Sequence, residues 1–189
     1  MFGLKKKTKK LLTLKDPVYS GRNSIGQWDY IITHGSNLEN YFNDIDIPRE
    51  RILDENEWFD IHTSIKLWKN YRACLPDYDM TETFNITFES VRESSYGIAK
   101  LVTQFSSIKN IFKLIPYLAS TISKIDLFEI LELDNTAATI RYNPYPGFED
   151  FIDSSHYFAL LGMFSAFPTI HDMPPAKVRE IASLIAVKK

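Results

Sequence analysis

Four residues late in the chain carry the spacing best suited to chemistry: Glu149, Asp150, Asp153 and His156. Asp153 and His156 are three apart, so one helical turn would bring a carboxylate beside an imidazole, a metal-ligand combination. Acidic residues ahead of a helix more commonly complement its positive N-terminus, and capping is the expectation here. His156 lies in an apolar stretch, which makes heme ligation an option beside the commoner hydrogen-bonded core histidine. The other histidines, His34, His62 and His171, have no spacing that shares a helical face, so no protein-only zinc site is expected.

The remaining catalytic signatures are missing. The seven glycines are dispersed and spell neither a phosphate-cradling loop nor GxGxxG. No serine sits in a GxSxG elbow. The lone Cys74, just before Pro76, reads as a small apolar residue, and one cysteine excludes an internal disulfide. No positioned acid, base and nucleophile can be named, so the chain is expected to be non-enzymatic.

A second kind of site is suggested by "YNPYPGF", residues 142–148, followed by "SSHYFALLGMFSAF", residues 154–167. The prolines fix φ and push the preceding residue to extended geometry, a stiffening role in which Tyr142, Tyr145 and Phe148 shield a hairpin edge. The same turn would also form the lip of an apolar cavity beneath the following helix, with tyrosine hydroxyls and His156 to orient a ligand. The candidate lining is Trp68, Tyr96, Tyr142, Tyr145, Phe148, His156, Phe158, Leu161 and Phe164.

The elements that must position these residues follow from periodicity. Ser36 and Glu39 have capping-box spacing ahead of Leu38, Tyr41, Phe42 and Ile45, predicting a first helix that ends at Pro48. Asp54 and Glu57 precede a stripe of Trp58, Ile61, Ile65 and Trp68, predicting a core-facing second helix closed by Pro76. A third runs from Thr81 through Phe84, Phe88 and Val91 to Phe105, with Gly97 suited to a close helix crossing. A fourth spans Ser107 to Lys124, kinked at Pro116. "DLFEILEL" and "AATIRY", joined by Asp134-Asn135-Thr136, form a hairpin, which must be covered to be stable. The nearly all-apolar stretch to Phe167 is the covering central helix. Residues 176–187 fit a helix or a strand.

The fold class is therefore α+β: about four helices packed on a small antiparallel sheet with a central apolar helix. Residues 1–35 read as a basic tail and irregular lead-in, and 36–189 as one domain. Of 22 basic residues, six are lysines in the first fifteen positions; the other sixteen face 24 acidic residues, a balance of −8. That acidic body argues against nucleic acid as a partner. The lysines make a solvated tail, with weak contact to anionic lipid through Lys5, Lys6, Lys7, Lys9 and Lys10 as the other reading. No stretch has the length and apolar content of a membrane span or a signal peptide, and a cytoplasmic location is expected.

In its element order the chain resembles the ligand-binding superfamily of four-vinyl-reductase domains, heme–nitric-oxide-binding-like sensors and small subunits of the transport protein particle. The resemblance is carried by "RILDENEW", "SSYGIAKLVTQF", "SSIKNIFKLIPYLASTISK" and "AATIRYNPYP" before "SSHYFALLGMFSAF", over residues 36 to 187. It is nearest to modules placed before cyclase, diguanylate cyclase or histidine kinase domains in bacterial signalling proteins. The resemblance implies a homodimeric sensory domain for a small apolar or amphipathic ligand, or a protein–protein scaffold of the transport-particle type. Two departures stand out. Ser183 stands near the place where the last strand of the vinyl-reductase type often carries a cysteine, and the Tyr-x-Ser-x-Arg signature of heme-binding relatives is absent, so heme is not carried over to His156.

Overall fold

Short extended segments bring distant parts of this chain together, and helices of three to four turns pack over them. The computed structural model describes residues 11–76, 78–93 and 107–179. In chain order the elements are β1 (Tyr19–Ser20), α1 (Gly21–His34), α2 (Arg49–Ile52), β2 (Trp58–Phe59), α3 (Ile61–Ala73), α4 (Met80–Glu93), α5 (Ile108–Ser120), β3 (Asp126–Leu133), β4 (Ala138–Pro144) and α6 (Ser154–Ala166), with 3-10 turns at Leu38–Phe42, Glu149–Phe151 and Phe167–His171. The fold is α+β; the described residues hold two antiparallel two-stranded sheets, β1–β2 and β3–β4. Among the described residues no helix is long and apolar enough to cross a membrane.

The beginning of the chain departs from the expected irregular lead-in. Residues 21–34 are helical, capped by the Ser20 hydroxyl, which accepts from Arg22 N. Two glycines of this stretch, Gly21 and Gly35, have packing reasons. A Cβ on Gly21 would come within 2.0 Å of the Asp54 carbonyl oxygen, and one on Gly35 within 3.0 Å of the Cys74 oxygen. Ahead of α1, Val18 N donates to Phe59 O, Ser20 N to Ile122 O and Lys124 N to Val18 O. The lead-in is thus wedged between β2 and the segment preceding β3.

The predicted first helix is only a 3-10 turn. Asn37 has φ +52°, and no side chain caps the turn, so Ser36 and Glu39 form no capping box. The predicted second helix begins later than expected, because Trp58 and Phe59 pair with Ser20 and Tyr19. Asp60 caps α3 by accepting from Thr63 N at 2.8 Å. The buried face of α3 is Ile61, Ser64, Leu67 and Tyr71, while Ile65 is exposed, so the inward stripe is rotated from the one the sequence suggests. The third predicted helix is seen as α4 to Glu93; its continuation, including Tyr96 and Gly97, lies outside the described residues.

The later elements follow the sequence closely. Ser107 caps α5, which buries Ile111 and Ile115 and includes Pro116. The hairpin pairs Phe128 with Tyr142, Glu129 with Arg141 and Ile130 with Ile140, and Leu131 is an extra residue that bulges the first strand. Its turn is set by Asp134, whose Oδ1 accepts from the Thr136 and Ala137 amides at 2.6 and 2.8 Å. Beyond β4, Tyr145-Pro146-Gly147-Phe148 closes a tight turn. Phe148 N donates to Tyr145 O, and Gly147 has φ +90°, the conformation that demands glycine at the third position.

Among the described residues, three apolar clusters hold these parts. One joins α1, α3 and Tyr41 around Ile31, Leu67 and Tyr71. A second gathers Val18, Ile61, Ile125 and Phe148. The third unites α5, the hairpin and α6 through Ile111, Ile115, Phe128 and Phe167, with Phe164 edge-on to Phe128 at 5.8 Å. Helix α6 also presents Ser155, Ala159, Gly162 and Ala166 as a buried face of small residues. Small side chains let two helix backbones approach closely. A Cβ on Gly162 would lie 2.3 Å from both the Phe84 carbonyl oxygen and the Thr87 hydroxyl of α4.

Candidate functional site

A buried polar group joins the base of the hairpin to the first turn of α6. Side chains alternate along β3, so Asp126 lies on the same inward face as buried Phe128. Asp126 pairs in register with Pro144, and Tyr142, two residues earlier on β4, reaches back toward it. The turn after β4 returns the chain so that His156 arrives on the other side. His156 Nε2 lies 2.9 Å from Asp126 Oδ1, the Tyr142 hydroxyl donates to the same oxygen at 2.9 Å, and the hydroxyl is 3.1 Å from Nε2. The side chains of Asp126 and His156 are only 8 % and 18 % exposed.

Burial of a charge is costly unless it is paired and hydrogen-bonded, and this group meets both conditions. Burial pushes Asp126 upward, yet His156, Ser123 and Tyr142 together hold its carboxyl below the usual carboxylate range. Burial lowers His156, while Asp126 and, more weakly, Asp153 outweigh it and raise the imidazole above its ordinary value. Both shifts favour a carboxylate–imidazolium pair near neutrality. Tyr142 and Tyr19 are pushed well up by burial and the Asp126 charge, so both stay protonated donors.

The first turn of α6 is fixed from a second direction. Asp153 caps it by accepting from His156 N at 3.1 Å and from the Ser155 hydroxyl at 2.6 Å. Arg72 at the end of α3 reaches Asp153 at 3.2 Å and also bonds Ser155, with its guanidinium 5.3 Å from the Tyr78 ring centroid. Asp153 is held below its usual range despite burial by the Ser155, His156 and Arg72 bonds. Hydrogen bonds from β3, β4 and α3 thus converge on Asp153, Ser155 and His156, the cap and first turn of α6.

The nine candidate lining residues are spread over several places. Tyr142, His156 and Phe164 lie together at the hairpin–α6 interface. Tyr145 and Phe148 belong to the cluster around Val18, with the Tyr145 hydroxyl 3.4 Å from Leu12 N. Trp68 packs edge-on to Tyr71 at 5.5 Å and borders a crevice of about 10 Å³, room for about one water, among Ser20, Asn23, Ser24 and Gln27. Phe158 is exposed and Leu161 half-buried on α6, and Tyr96 lies outside the described residues. Lys5, Lys6, Lys7, Lys9 and Lys10 lie outside them too.

Asp153 takes the capping role expected of it. Among the described residues no group of three or more His, Cys, Asp or Glu side chains is arranged to hold a metal ion. Nε2 of His156, the nitrogen a heme iron would need if it approached from that side, is engaged by Asp126 and Tyr142. Cys74 is buried, and that burial raises its thiol. Asp126, Ser123 and Arg72 are not among the residues whose type and spacing suggest a site. Only Asp126 leaves a signal: it stands two residues before Phe128, on the inward side of an alternating strand.

The comparisons add no relative from which a role could be borrowed. No protein-family model, curated protein or solved structure matches the chain.

Proposed function

We propose that this chain is a non-enzymatic sensory or regulatory input module of a bacterial signalling protein, acting in the cytoplasm. It takes a small apolar or amphipathic molecule and controls an effector of the cyclase, diguanylate cyclase or kinase type. The observation that carries the reading is the position of α6. One side is a seam of small residues in close contact with α4, the other meets the hairpin through Phe164 and Phe128, and its first turn is bonded to Asp126 and Tyr142. A helix clamped between two layers in this way is a natural element for shifting between two packings, and a ligand drives such a shift through its different affinity for each. The test is extraction of the purified protein with organic solvent and mass spectrometry of the extract. One apolar compound in near-stoichiometric amount is expected; its absence from protein purified from several sources removes the ligand.

A second reading is a dimerisation or interaction scaffold of the transport-particle type. It is favoured by large apolar side chains left exposed: Tyr117 on α5, Leu127 and Leu131 on the hairpin, and Tyr157 and Phe158 on α6. Light scattering across a hundredfold range of concentration tests the dimer. A monomer throughout counts against the homodimer.

A further inference from the structure

The geometry points to a proton-operated latch: Asp126, His156 and Tyr142 fasten the hairpin to the start of α6, and loss of a proton from His156 loosens that fastening without unfolding the α1–α3 part of the chain. The latch rests on this geometry and not on ligand binding, so it stands or falls separately from the sensory reading.

Three observations place the device at a mechanical joint. The Asp126–His156 bond at 2.9 Å connects residues thirty positions apart, one at the base of β3 and the other in the first turn of α6. Tyr142 of β4 touches both, so the two strands and the helix meet at one oxygen. Finally, the joint sits between the α5–hairpin cluster and the Asp153–Arg72 contact to α3, where a change in one bond alters how two layers are held.

The charge inventory around His156 decides the direction. Asp126 faces it from β3 and Tyr142 from β4, while Tyr19 on β1 is coupled to Asp126. Asp153 faces it from the cap of α6, and Arg72 of α3 is bound to that carboxylate. Tyr157, the neighbour on α6, packs edge-on to Tyr142 at 5.9 Å. Asp153 therefore has a cation of its own, and Asp126 has His156. When His156 is neutral, Asp126 keeps the hydrogen bond from Tyr142 but loses its neutralising charge inside the fold. Because the folded imidazole is raised, the fastening is complete below the ordinary histidine range near 6.5 and is lost as pH climbs through the folded value.

The test uses the full chain. Histidine-ring NMR gives the titration of His156, and amide hydrogen exchange between pH 6 and 9, expressed as protection factors, compares β3, β4 and the first turn of α6 with α1. We expect His156 to titrate above 6.5. Protection of the hairpin and α6 should fall with rising pH, by roughly tenfold for each unit by which the histidine is raised, while Ile31 in α1 keeps its protection. His156→Gln should abolish that pH dependence. Should the variant not fold, the wild-type titration decides alone. Titration of His156 at or below 6.5, or a parallel loss of protection in α1 and the hairpin, overturns the latch.

Discussion

Gly162 of α6 lies against the backbone of α4 so closely that a Cβ in its place would stand 2.3 Å from the Phe84 carbonyl oxygen. That oxygen belongs to a helix backbone and cannot rotate aside, so Gly162→Ala must push the two helices apart. Overpacking of this kind costs about 1–3 kcal/mol. Urea denaturation should show a lower midpoint with an unchanged slope. An unaltered midpoint would mean that α6 does not sit on α4 at this distance.

Removing one member of the buried pair should cost more than removing both. His156→Gln leaves the buried Asp126 carboxylate without its counter-charge, and breaking a buried ion pair from one side typically costs about 3–5 kcal/mol. The double variant Asp126→Asn with His156→Gln should recover part of that loss. A double-mutant cycle by chemical denaturation reads the coupling, and additive losses would deny the pairing.

Acid should weaken the same junction by the opposite proton step. Asp126 and Asp153 are both held below their usual range in the fold. A depressed carboxylate contributes stability that is present above its unfolded value near 4 and disappears as pH falls through the folded value. Denaturation midpoints should therefore decline below about pH 4. Asp126→Asn should flatten that decline.

Helix caps offer a test of the corrected boundaries. Ser107→Ala and Asp60→Ala remove side chains that accept from the Asn110 and Thr63 amides, and each should cost about 0.5–2 kcal/mol. Ser36→Ala should cost much less, because Ser36 caps no helix. Equal losses at all three positions, measured by thermal or urea unfolding, would restore the capping box that the sequence suggests.

The contrast between those positions shows what was legible. From Ser107 to Phe167, local pattern and tertiary structure agree: a capped amphipathic α5, an alternating hairpin around an Asp-Asn-Thr turn, and an apolar helix started by Asp153; most of the 176–187 segment lies outside the described residues. Each rests on contacts close in sequence. Before residue 60 the local signal misleads, because tertiary contacts decide. Residues 21–34 read as part of an irregular lead-in yet form a helix whose Gly21 is required by the Asp54 carbonyl, and Trp58 fits a helical stripe but is taken into a strand by Ser20. The site divides in the same way. Tyr142 and His156 announce themselves among apolar neighbours, whereas Asp126 looks like an ordinary strand-start carboxylate until the fold brings His156 to it from thirty residues away.

The proposed function places α6 between α4 and the hairpin as the element that answers a bound apolar molecule, and one exchange experiment addresses this directly. Amide hydrogen exchange would be measured on the protein as purified and on protein stripped of bound compounds by an apolar resin, at one pH. Stripping should lower protection in residues 154–166 and in β3–β4 and leave α1 and α3 unchanged, and returning the extracted compound should reverse the loss. Identical protection in α6 before and after stripping would contradict the proposed function.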